Sequence, residues 1–73
     1  MARHYVDITE VSDQDLEMLG YYFVVSDGEF SLYNNKGEHF IVHRKGDRRF
    51  IYVEDVNDAI TLRGRGTRPV PPP

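Results

Sequence analysis

The 73-residue chain contains no cysteine. No disulfide can staple it, and a zinc site built on thiolates is excluded. A domain this short buries only about 60% of the surface its unfolded chain exposes, so stability must come from packing alone or from a partner. No apolar run approaches the roughly 20 residues of a membrane span. The start, "MARHYVDITE", has one basic residue with no apolar segment behind it and does not read as a signal peptide. Proline is absent before residue 69. What is present is a hydrophobic fraction of 40% and an aromatic fraction of 12%, enough for a packed core. A soluble cytoplasmic protein without membrane contact is expected.

Charge is short of one sign in each part of the chain. The formal charge is −3 overall, but it is −6 over residues 1–30, +3 over 31–53, −3 over 54–62 and +3 over 63–73. Two domains of behaviour follow. Residues 1–62 read as one small folded unit. Residues 63–73, "RGRGTRPVPPP", hold two Gly and all four Pro. Such a segment has little reason to order and turns polyproline-like at its end, so a flexible Arg/Gly/Pro tail is expected.

Arg3 to Thr9 alternates in the manner of a short strand. Ser12 is a good helix N-cap with Asp15 three residues on, Leu16 and Leu19 share a face, and Gly20 stops the helix. Three turn signals follow, at Asp27-Gly28, Asn35–Gly37 and Lys45–Asp47, and the runs between them are rich in aromatic and β-branched residues. The expected fold is α+β: a four-stranded antiparallel meander with a short N-terminal strand, one N-terminal helix and a short C-terminal helix over about 55–62. That last helix would bury a stripe of Val56, Ala59 and Ile60.

A two-residue loop at Asp27-Gly28 and three-residue loops at 35–37 and 45–47 pair Val25 with Phe30, Leu32 with Phe40, and Val42 with Phe50. One continuous apolar face results, holding Phe23, Phe30, Phe40, Val42, Phe50 and Tyr52. The other face keeps Tyr22, Val24, Tyr33, Ile41, Ile51 and Val53, and something must cover it.

Chemistry of catalysis finds no foothold. There is no thiol, no nucleophile-elbow serine and no phosphate-binding loop, so no enzyme and no cofactor is expected. His39 and His43 lie four apart on a strand, about 13 Å at 3.3 Å per residue. That is too far to share one metal ion, and no metal site is expected.

Two charged clusters are candidates for binding. Asp7, Glu10, Asp13, Asp15 and Glu17 make a negative patch suited to a basic protein partner. Arg44, Lys45, Arg48 and Arg49 flank a hairpin turn and offer a nucleic-acid contact, although that reading needs exposed aromatics beside them. With Phe50 and Tyr52 assigned to the core, only Tyr33 and His43 remain to stack on bases.

A cysteine-free chain of this length, with a strand, a capped acidic helix, a β-meander and an Arg/Pro tail, resembles the small RNA-polymerase-binding transcription regulators of Xanthomonas-infecting lytic bacteriophages. The likeness spans the whole chain in length and character and carries over no binding residue. It implies a monomer in the host cytoplasm whose partner is host RNA polymerase, at the basic N-terminal region of its β′ subunit. The implied role is to inhibit initiation and promote antitermination, with an RNA contact from the basic hairpin. The alternatives are an acidic inhibitor of another nucleic-acid machine, such as a nuclease or CRISPR complex, and a small nucleic-acid-binding module.

Overall fold

A computed structural model describes residues 3–66. The elements run β1 (His4–Asp7), α1 (Asp13–Met18), β2 (Tyr22–Asp27), β3 (Phe30–Asn35), β4 (Glu38–Lys45), β5 (Arg48–Val53) and α2 (Val56–Gly66). The five strands form one antiparallel sheet in the order β1-β5-β4-β3-β2. The meander β2 to β5 is as expected, and the N-terminal strand joins it beside β5.

Helix α1 begins where Ser12 caps it: the Ser12 hydroxyl accepts the Asp15 N–H at 3.1 Å. It ends in a Schellman motif. Gly20, at φ +96°, donates to Glu17 O, and Tyr21 N–H reaches Leu16 O at 2.8 Å, with Leu16 and Tyr21 both buried.

The hairpin loops differ from expectation by one residue each. All three are two-residue turns, flanked by Asp27↔Phe30, Asn35↔Glu38 and Lys45↔Arg48. Gly28 (φ +60°) and Gly46 (φ +62°) occupy the first central position of the first and third turns, and the residue after each has an ordinary φ. That is the type II′ arrangement. The middle turn places Lys36 (φ +53°) and Gly37 (φ +84°) both in the left-handed region, the type I′ pattern, with Asn34 Oδ1 accepting the Gly37 N–H.

A one-residue slip reverses a strand's faces. Strand β4 keeps its expected inward side, with Val42 buried and Phe40 half-buried, while β3 and β5 turn over. Val42 therefore pairs with Ser31 and Ile51, not with Phe30 and Phe50. Phe23 and Phe30, expected in the core, are 57% and 48% exposed. A bulge at Val24 completes the difference in β2.

The core forms on the other side of these strands. Tyr33, Val42, Ile51, Val53 and Val6 line the inner face, and Ile8, Val11, Leu16, Tyr21, Ala59 and Leu62 close over it from the loop and the two helices. Helix α2 turns Ala59 and Leu62 inward and leaves Val56 and Ile60 exposed, so its buried stripe is rotated from the one expected. The helix also runs through residues 63–66, which were assigned to the tail. Residues 67–73 of that tail lie outside the described residues. No described helix is long and apolar enough to cross a membrane.

Candidate partner-binding surfaces

The structure ties the two charged clusters to each other. Asp7 and Arg48 form an ion pair, with Arg48 Nε 2.9 Å from Asp7 Oδ2. Asp7 Oδ1 also accepts the Thr9 N–H at 2.9 Å and the Thr9 hydroxyl at 2.6 Å. These two bonds, then Arg48, hold the Asp7 carboxyl down at about 2.

Arg49 is bound more completely. Its guanidinium donates to Asp13 Oδ1 at 3.0 Å, to Ile8 O at 3.3 Å and to Val11 O, and its own N–H donates to Thr9 Oγ1 at 2.9 Å. The Arg49 side chain is only 18% exposed. It fastens the β1–α1 connection to β5 and has no donor array to offer a phosphate backbone. Asp13 likewise accepts from Tyr33 Oη at 3.3 Å as well as from Arg49.

Of the five acids in the patch, Glu10, Asp15 and Glu17 remain outside ion pairs among the described residues. Of the four bases in the hairpin, Arg44 and Lys45 do. Glu10 and Arg44 line the same shallow depression of about 540 Å³ between the β1–α1 connection and the β4–β5 turn. Neither cluster is a separate single-sign surface. Their partnership was not readable from the sequence, because it depends on β1 lying beside β5, over 40 residues away.

The larger feature is the sheet face opposite the helices. One row crosses all five strands: Asp7, Phe50, His43, Phe30 and Asp27. Phe30 stacks on the His43 ring at 4.4 Å between centroids, and His43 Nε2 lies 3.1 Å from Glu29 Oε2. Tyr5 stacks on Phe50 at 4.6 Å and tilts against Tyr52 at 4.4 Å. Leu32, Ile41 and Val25 fill the middle and the β2 side.

No described element covers this face. Tyr5, Ile41, Phe30, Val25 and Tyr22 are between 39% and 57% exposed. Strand β2 is exposed at every position and, among the described residues, forms a free sheet edge carrying Tyr22, Phe23, Val24 and Val25. A second apolar face in need of a cover was expected. Its membership was not: Phe50, Tyr52 and Phe30 lie on it, while Tyr33, Ile51 and Val53 are buried.

Compared with protein-family models, curated proteins and solved structures, the chain matches none of them.

Proposed function

We propose that the chain acts by binding, as a phage-encoded transcription regulator that engages host RNA polymerase, inhibits initiation and promotes antitermination. The polymerase and its β′ N-terminal region come from the resemblance. The observation that supports a binding role is the open aromatic face with its apolar β2 edge, since contiguous exposed apolar surface marks interaction sites. Its core is aromatic and aliphatic while Asp7 and Asp27 stand at the ends of the central row, the arrangement of an apolar centre within a polar rim. Glu10, Asp15 and Glu17 add an unpaired negative fringe that speeds encounter with a basic partner.

The test uses purified bacterial RNA polymerase and transcription from a template bearing one promoter and one terminator. The parent chain should bind the enzyme, reduce initiation and raise read-through. Val25→Asp and Phe30→Ser, both at exposed positions, should retain the parent melting temperature and weaken binding by at least about tenfold, because each puts a polar group into the apolar centre. A parent chain that neither binds nor alters transcription sinks the polymerase reading. Variants that fold and bind like the parent remove this face from the interface.

One observation favours a second reading. Phe50 and Tyr52, expected in the core, lie on the open face with Lys45 at its edge. Stacking of single-stranded bases on that face is the alternative, and salt-dependent binding of a labelled single-stranded RNA would establish it. The acids at both ends of the central row and the engagement of Arg48 and Arg49 weigh against it.

A further inference from the structure

The sheet is paired along only part of its β4–β5 seam. The β4–β5 ladder begins at the turn with Lys45↔Arg48 and stops at Val42↔Ile51. Beyond that point both strands go on, but apart. Strand β5 continues to Val53 paired with β1 through Tyr52↔Tyr5 and Val53↔His4, and β4 continues to Glu38 paired only with β3.

Between them lies a groove of about 900 Å³. Its walls are Phe40 and Ile41 on one side and Tyr52 and Val53 on the other. Hydrogen-bonding positions alternate along an antiparallel strand. With Lys45 and His43 facing β5 in the paired half, Ile41 and His39 present the next positions on that side, and neither is paired in register with a β5 residue.

The rim is acidic. Glu38, Glu54, Asp55 and Asp58 surround the groove, against Arg3 as its cation, with His39 beside them. None of the four carboxylates is in an ion pair among the described residues. The nearby Tyr21 phenol is pushed up to about 12, first by burial and then by Asp58, with Asp55 and Glu38 adding to it.

We infer that the β4–β5 groove is a docking site for an extended, basic peptide segment of a partner protein. An extended backbone can take up the unpaired β4 edge, which a helix cannot. Alternating side chains would then meet the groove as its chemistry requires: apolar residues on Phe40 and Val53, and Lys or Arg toward the four acids. This site is distinct from the β2 edge and from the residues tested with polymerase. It is tested without polymerase, so it can fail while the transcription reading stands, and the reverse.

The probe is a capped nine-residue peptide alternating Lys and Val, titrated into the isotope-labelled full chain, with a Glu/Val peptide of the same length as control. Saturable amide shifts should be confined to residues 38–41 and 52–58, and the Glu/Val peptide should leave them unmoved. The double variant Glu54→Gln, Asp58→Asn should keep its melting temperature and bind the Lys/Val peptide at least about tenfold more weakly. Salt should weaken parent binding more than variant binding. Shifts centred on Asp15 and Glu17 or on Val25 and Phe30, equal response to both peptides, or undiminished binding by the variant would each overturn the inference.

Discussion

Arg49 and Asp7 show how far a residue's role depends on what lies across the fold. Charge alone makes one a nucleic-acid contact and the other part of a partner patch. Arg49 instead bonds three carbonyl or carboxylate groups of the β1–α1 connection, and Asp7 is held by Thr9 and Arg48. Nothing local announces such a role, because Arg49 and Ile8 are 41 positions apart. The Asp7 carboxyl is lowered from 3.8 to about 2 in the fold. Its ionised form is thus favoured in the folded state. The contribution to stability is fully present above the unfolded value and is lost as pH falls through about 2. Asp7→Asn should therefore lower the melting temperature at pH 5 and narrow the difference from the parent on acidification toward pH 2. An unchanged gap across that range would mean that the Thr9 and Arg48 bonds do not hold the carboxylate in solution.

At the scale of elements, the strands and helices were legible and the registers were not. Apolar alternation, the Ser12 cap and the Gly20 stop locate β1, α1 and the meander to within a few residues, because each is a local signal. The turns carry a finer choice. Glycine at 28 and 46 serves the first central position of a II′ turn, whereas Asp-Gly in a I′ turn would put it second, and the two choices differ by one residue in register. Composition could not separate them: Tyr33, Ile51 and Val53 make as good an inner face as Phe30, Phe50 and Tyr52. The α1 terminus allows a direct test. At Gly20 the backbone is left-handed at φ +96°, and an added Cβ would lie 2.9 Å from Asn35 Oδ1, the side chain whose amide bonds Leu19 O. Gly20→Ala should cost about 1–2 kcal/mol in a urea titration. A neutral result would show that the Schellman turn is not fixed by its glycine.

At the scale of the whole molecule, the described elements cover the sheet on one side only. Ile51 is fully buried, while Phe23 is 57% exposed and meets Tyr33 edge-on at 5.7 Å. Ile51→Ala should cost about 2–5 kcal/mol, a large share of the stability of a domain this small. Phe23→Ala should cost about 1 kcal/mol, the scale of one aromatic pair. Chemical denaturation of both variants ranks the buried centre of the inner face against its exposed β2 end, and the reverse ranking would show that the core is centred on Phe23. That both sheet faces are apolar was legible from the surplus of apolar strand positions. Which side chains stand on each, and that β4 and β5 pair only in part, was not, since both follow from registers set by turn geometry.

The pairing of β1 with β5 has a consequence for the order of assembly. Strands β2 to β5 are joined by two-residue turns, so each hairpin closes a minimal loop. His4↔Val53 instead brings together residues separated by nearly the whole described chain. Closing so long a loop is slow unless the intervening hairpins have already shortened it. Of these five strands, the earliest to be synthesised is therefore the last to find its place, and until β5 emerges Val6 and Ile8 lack the strand they pair with.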